Sequence, residues 1–457
     1  MVRLFRRPAF WLLLLIAAAL VAATEHWSHT RRQAEQVNAA HVNVASVPAG
    51  AHIKVDGADE GSTPAVLAVA PGPHTIALNR AGYGNAVYSV APGSASTSEL
   101  QSRMWRSAPD VVPLLPALPG TKITNAQPLG DGQIAVTIEF PSGLHQIWLA
   151  DADGRPQRST DAQPSKQAAL SMDGSQLASA RASTQAAGLG VRADEIWVAN
   201  ISDSGPGRRL YGVPPNGPNS ALVDVGWTPD GNHLLAVVST GSATGATTSI
   251  LLLDVTSGQS QALAALPSQV VPGSYRWAPD HGSVAFLTRT DQGLSLCLLR
   301  LSDGQLQYLS DVAGQATDPI PFAPIAWSPD GTQMVYQAYD RRHPATSWFF
   351  GSTPQAVIVR ANSDGSGAHN LGALQLHYPV WYPDGSVAAW APPGSGKPIS
   401  LKSVSRPGDV LATLPLSNAE FGVRWDAAHD QALIAVRRSS GSAPLDFSLV
   451  RFVGDDQ

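Results

Sequence analysis

Cysteine is almost missing: Cys297 is the single one in 457 residues. No intramolecular disulfide can form, and neither can a cysteine-held zinc or iron–sulfur centre. Cys297 sits within the apolar run Leu294–Leu301 and reads as a small buried hydrophobe. Charge is also scarce. Asp, Glu, Lys and Arg make up 14% of the chain, against about 25% in ordinary soluble domains. The 30 basic and 35 acidic residues leave a net charge of −5. Without a basic field to hold phosphates, nucleic-acid binding is not expected. Only one long apolar run exists, which excludes a multi-pass membrane protein. The twelve histidines are scattered and form neither an HxH nor an HExxH pattern.

The one apolar run is Ala9–Ala23, preceded by Arg3, Arg6 and Arg7. A positive start, an apolar stretch and a small-residue end describe an export segment. Retention as an anchor in the cytoplasmic membrane through residues 9–23 is the preferred reading. Trp11, Trp27, Arg31 and Arg32 flank the run as interface anchors would. Cleavage near Ala23, with release to the periplasm, is the alternative. In both cases the bulk is expected on the extracytoplasmic side. The first 33 residues form this signal or anchor, and 34–40 a polar stalk.

What is plentiful is turn residues. The 41 Gly and 36 Pro make about one residue in six. They bound short apolar strands, and no segment after residue 40 keeps a helical apolar period. The fold class is therefore all-β. Residues 41–92 form a first small module. Apolar residues alternate at Val42/Val44, Ile53/Val55 and Ile76/Leu78, with turns at Asp56-Gly57 and Pro71-Gly72. Ser46, Pro48-Ala49-Gly50-Ala51, Val55-Asp56-Gly57, Gly61-Ser62-Thr63-Pro64, Pro71-Gly72, His74 and Gly82-Tyr83 together resemble a PEGA domain. Ala49 departs from the glutamate of the family's naming motif. The resemblance implies an extracytoplasmic spacer or adhesion module without catalysis, and each landmark reads as a turn or core residue.

Residues 93–120, polar and then Pro-rich, read as a linker. From 121 to 457 the chain repeats. Gly226-Trp227-Thr228-Pro229-Asp230-Gly231 recurs as Arg276-Trp277-Ala278-Pro279-Asp280-His281-Gly282. Further copies are Ala326-Trp327-Ser328-Pro329-Asp330-Gly331 and Val380-Trp381-Tyr382-Pro383-Asp384-Gly385. Weaker copies centre on Asp131, Asp173 and Asp426. The marker aspartates lie 42, 57, 50, 50, 54 and 42 residues apart. Multi-strand repeats of about 40–50 residues indicate a β-propeller. Seven markers imply seven blades, with six the alternative because Asp131 is weak. The last repeat supplies only three strands, so a strand from around 111–126 is expected to close the ring. The Trp-Ser-Pro-Asp-Gly repeats resemble the TolB-like propeller family, which implies the fold and leaves function open.

Catalytic signatures are sparse. No G-x-S-x-G elbow is present, so a serine hydrolase is not expected. Gly394-Ser395-Gly396-Lys397 lacks the first glycine and the Ser/Thr of a phosphate loop, and no nucleotide is expected. Asp151-Ala152-Asp153-Gly154 and Ser363-Asp364-Gly365 offer too few oxygens for calcium and read as turns. Candidate ligand-binding residues are the polar and aromatic groups on the inner strands at the funnel mouth: Asp224, Tyr275, His377, Tyr378, Glu420 and Phe421. No catalytic residue, metal or cofactor is assigned. The expectation is a non-catalytic, exported, membrane-tethered propeller binding a cell-envelope protein, peptide or glycan. The alternatives are a funnel-site lyase or hydrolase for envelope polysaccharide and an extracytoplasmic sensor subunit.

Overall fold

The computed structural model describes residues 39–453 except 117, 130–132, 161–163, 184–192, 204, 206, 214–219, 243–244, 291–292, 314–319, 346–352, 373–374, 393–397, 407, 417–419, 427–429 and 438–443. The export segment 1–33, nearly all of the stalk 34–40, the marker Asp131 and the loop 394–397 thus lie outside the described residues. Every described regular element is a β-strand. Among the described residues, no helix is long and apolar enough to cross a membrane. The chain divides into two compact units that part between Met104 and Trp105.

The first unit is a pair of small sheets. One orders the strands Ala65–Val69, Ala40–Val47 and Thr97–Arg103; the other orders Ala58–Ser62, His52–Val55, His74–Asn79 and Ala86–Val90. Alternate residues of Ala40–Val47 are buried, which puts Val42 and Val44 against Ile53, Ile76 and Leu78 in one apolar cluster. Asp56 and Gly57 both take positive φ, at 49° and 87°. That is the two-residue turn whose twist matches a hairpin.

This pairing corrects the expected linker over 93–120. Thr97–Arg103 is a strand, parallel to Ala40–Val47. Its sequence, TSELQSR, hides the strand because its outward positions are polar and exposed. The second half of the supposed linker also pairs, within the other unit: Asp110–Pro113 runs antiparallel to Leu445–Arg451. Proline survives there because an outermost strand leaves one row of backbone groups unpaired.

The second unit holds seven sheets among the described residues, each built outward from an inner strand. The inner strands are Lys122–Pro128, Gln167–Leu170, Ser220–Trp227, Arg276–Trp277 with Gln269–Val270, Ile325–Trp327, His377–Trp381 and Glu420–Asp426. Each sheet packs on the next in sequence, and Leu445–Arg451 of the seventh packs on Lys122–Pro128 of the first. The ring is closed, and the unit is a β-propeller. Its apolar clusters lie between neighbouring sheets rather than in one centre. Leu234, Ala236 and Leu253 of the third sheet meet Ala178 and Ile196 of the second, and Met334 and Tyr336 of the fifth meet Ala285 and Leu296 of the fourth. One sheet alone could not cover both its faces. Cys297 is buried in such a cluster, as its apolar surroundings predict.

The closing strand is the expected one, shorter than the 111–126 window. Asp110–Pro113 forms the outer edge of the seventh sheet, while Lys122–Pro128 is already the inner strand of the first. Beside it, Trp105 is 2% exposed, donates from Nε1 to Asp430 at 3.2 Å, and packs on Trp425, Phe452 and Tyr382 with ring centroids 4.5–5.0 Å apart.

The repeat turns show why their residues recur. In the third sheet the Thr228 hydroxyl donates to Asp230 Oδ1 (2.5 Å), the same oxygen accepts Asn232 N, and Gly231 holds φ at 70°. Ser328, Asp330, Thr332 and Gly331 repeat this bond for bond. The marker tryptophans end inner strands and stitch neighbouring sheets. Trp227 Nε1 donates to the Ala169 carbonyl and Trp381 Nε1 to the Ala326 carbonyl.

Candidate functional site

The inner strands enclose a cavity of about 1050 Å³, lined by residues of every sheet but the sixth. One part carries Lys122, Glu139 and His145. Lys122 Nζ lies 3.1 Å from Glu139 Oε1, and His145 Nε2 lies 3.7 Å from Glu139 Oε2. Burial pushes the His145 pKa down. Elsewhere Trp227, Trp277, Trp327 and Trp425 supply aromatic wall.

Asp224 and Tyr275 stand in this cavity as a pair. A register shift leaves Val223 without a partner between Leu222 and Asp224, and the ladder resumes with Asp224 opposite Val237. Its carboxylate accepts Gly273 N at 2.7 Å and Val225 N at 2.9 Å. Burial still dominates and pushes its pKa up to about 6, the backbone donors and Tyr275 only partly opposing. Tyr275 is raised as well, first by burial and then by the Asp224 charge. Its ring fits where Gly226 leaves space, since a Cβ there would sit 3.2 Å from it.

The other four candidates, on the sixth and seventh sheets, are not among the residues lining this cavity. The His377 and Phe421 rings are 6.3 Å apart and those of Tyr378 and Phe421 5.8 Å. Glu420 faces Arg437 across a 3.5 Å ion pair. Burial pushes His377 down to about 4. Tyr378 holds φ at 48° while its amide donates to Gln337 Oε1. Of the six residues, Asp224 and Tyr275 thus line the cavity and the other four do not.

Two cavity residues are missing from that expectation: Arg276 and Arg424. Both lie deep in the molecule yet keep some accessible surface, which they owe to the cavity. Arg276 of the fourth sheet donates from Nη2 to the Trp425 carbonyl of the seventh at 2.6 Å. Arg424 of the seventh donates to the Gly273 carbonyl next to the fourth sheet's inner strand at 2.7 Å, and to Ala126 of the first at 3.2 Å. The two side chains therefore reach past each other across the ring. Arg424 also lies over the Phe322 ring at 4.9 Å. Burial lowers the Arg276 pKa to about 10, with Asp426 opposing; burial and then the Arg276 charge lower Arg424 to about 9.

A signal for them existed in the repeats. The residue before the marker Trp is Gly226, Ala326 or Val380 in three copies, but Arg276 or Arg424 in the other two. A charge in a register otherwise filled by small or apolar groups marks a local task. Chemically, the site offers fixed guanidinium donors, aromatic walls and one buried carboxylate. No group of three or more potential metal ligands occurs among the described residues.

A family model described as PEGA domain matches residues 39–106. This part of the chain is a PEGA domain. The match takes in Thr97–Arg103, the PEGA domain's strand hidden in the supposed linker. The domain's landmarks serve its architecture. Thr63 Oγ1 accepts the amides of Gly50 and Ala51 and bonds the Ser46 hydroxyl at 2.5 Å. Asp56 accepts Thr75 N and meets His74 Nδ1 at 2.7 Å. No curated protein matches the chain.

Solved structures resemble part of the chain. An oligogalacturonate lyase from Vibrio parahaemolyticus shares 11% identity, covering 75% of this chain and 98% of its own, with a TM-score of 0.47. A protein described as TolB from Agrobacterium tumefaciens shares 17%, covering 61% and 95%, with a TM-score of 0.35. The β-propeller domain of the Trilobed protease from Pyrococcus furiosus shares 14%, covering 72% and 95%, with a TM-score of 0.40. At these levels the propeller rests on the sheet order described above. The expected succession, a PEGA domain and then a β-propeller, is the one the chain contains.

Proposed function

We propose that this chain is a non-catalytic binding protein of the bacterial cell envelope. Residues 9–23 hold it at the cytoplasmic membrane, the PEGA domain and propeller lie on the extracytoplasmic side, and the propeller takes a protein, peptide or glycan partner in its central cavity. The observation that carries this reading is the cavity itself: about 1050 Å³, lined from six sheets, with its polar groups already fixed by backbone bonds. Recognition by a preformed surface costs little ordering.

A crosslinked pull-down of the full-length protein from its own membranes, read by mass spectrometry, tests this. The control is Thr124→Trp, which fills the cavity from the first sheet. A stoichiometric envelope partner lost in that variant, with an intact peptide across Ala23–Thr24, is the expected result. Cleaved chains starting at Thr24 would replace the tether by periplasmic release. Turnover of envelope polysaccharide by the wild-type protein would overturn the non-catalytic reading.

A further inference from the structure

Two positive side chains share the cavity with too few negative ones. A guanidinium carries five N–H donors and no acceptor. Arg276 uses one on the Trp425 carbonyl, and Arg424 uses two on the Ala126 and Gly273 carbonyls. Among the described residues, Arg424 Nε is buried without a hydrogen-bond partner. Carbonyl oxygens satisfy donors but supply no counter-charge. Asp426 is the carboxylate whose field reaches Arg276, and it is shared with Gln431 Nε2 at 2.9 Å. Asp224 is engaged by Gly273 N and Val225 N. Among the described residues Asp426 is the carboxylate that bears on Arg276, and none bears on Arg424, whose positive charge is met by backbone carbonyls alone.

Burying an unanswered charge is costly unless something pairs with it. Stitching the ring would not need charge at all: Trp227 and Trp381 bridge neighbouring sheets to carbonyls with neutral donors. The cost of two arginines is explained if their fork-shaped donors are for an incoming oxyanion. One unanswered charge suits a monoanion better than a dianionic phosphate. The surrounding walls, Trp227, Trp277, Trp327 and Trp425, suit a flat or ring-shaped body behind the charged group.

Resting on the binding reading above, we propose that Arg276 and Arg424 form the recognition site for a carboxylate carried by the ligand of the propeller cavity. The carboxylate takes the free N–H groups of both forks, and the ligand's body lies against the tryptophans.

The test uses the full chain, with formate and benzoate as probes, benzyl alcohol as the neutral match and inorganic phosphate as the dianion. Binding is read by isothermal titration calorimetry and ligand-observed NMR at constant ionic strength. Benzoate and formate are expected to bind saturably at millimolar levels, benzyl alcohol at least tenfold more weakly. R276Q and R424Q should each weaken benzoate at least tenfold, and R424K, which keeps charge and a donor but loses the fork, by an intermediate factor. Tryptophan fluorescence and far-UV circular dichroism establish folding, and R276Q carries the test if R424Q fails to fold. Equal binding of benzoate by wild type and variants would overturn the proposal, as would indifference to all anions. Phosphate binding with no carboxylate binding would overturn the carboxylate assignment. A partner captured by the wild type and lost in Thr124→Trp, without any carboxylate binding, leaves the binding reading standing and this inference fallen. Carboxylate binding with no partner does the reverse.

Discussion

At the scale of single residues, the repeat turn is the most legible part of the chain, and an irregular copy of it makes a prediction. In the turns at Asp173, Asp230 and Asp330 the next residue is glycine, with φ near 70°. In the fourth sheet that place belongs to His281, at φ 59°. Its amide still donates to the Ala278 carbonyl, and Asp280 still accepts Gly282 N. The turn thus forms in spite of a Cβ that the left-handed region disfavours. His281→Gly should stabilise the propeller by about 0.5–1 kcal/mol, the relief of strain being partly offset by a freer unfolded chain. A shift of the urea midpoint to higher concentration checks this, and a lower midpoint would refute it. Arg276 and Arg424 were harder to find by the same reading. They are 148 positions apart in sequence and meet because the ring brings the fourth and seventh sheets' inner strands to one cavity. Local pattern carries turns well because a turn is a local object. It carries a cross-ring contact only as an odd residue in an aligned register.

At the scale of elements, strands with an apolar period were readable, and edge strands were not. Ser283–Thr290 and Gly293–Arg300 are buried almost throughout and stand out in the sequence. Thr97–Arg103 and Asp110–Pro113 pair on one side or lie at an edge, so selection for an apolar pattern is weak there. The second of these closes the ring. Leu114 N donates to the Phe447 carbonyl, and antiparallel alternation then puts Val112 N on Leu449. Val112→Pro removes that donor and sets a ring against the neighbouring strand. We expect a loss of at least ~2 kcal/mol. The thiol of Cys297, buried between the third and fourth sheets and held above its usual pKa by that burial, offers a readout of opening. It should react with a disulfide reagent faster in Val112→Pro than in wild type. Equal rates would mean that Asp110–Pro113 contributes little to closure.

At the scale of the whole propeller, buried titratable groups on different sheets act against each other, and this gives a prediction no single residue shows. Asp224 has a folded pKa raised to about 6 by burial. Its folded form therefore prefers the proton, so its contribution is fullest below its unfolded pKa of about 4 and is lost as pH rises through 6. The shift corresponds to about 3 kcal/mol. His377, on the sixth sheet, has a folded pKa lowered to about 4 by burial. Its folded form prefers to be neutral, so its contribution is full above about 6.5 and is lost as pH falls toward 4. His145, lowered by burial, acts in the same direction as His377. Between pH 4 and 6.5 the two slopes oppose, and wild-type stability should change little. Asp224→Asn removes one limb, so its stability should climb with pH across this window. His377→Phe removes the other, so its stability should fall. Below pH 4 all three proteins should lose stability together, because the Ser171 hydroxyl on Asp173 and the Ser328 hydroxyl on Asp330 hold those turn carboxyls below their usual range. Urea midpoints at pH 4.5, 5.5 and 6.5 decide the matter: the expected variant slopes have opposite signs, and parallel curves for all three proteins would show that neither group is buried as the fold requires.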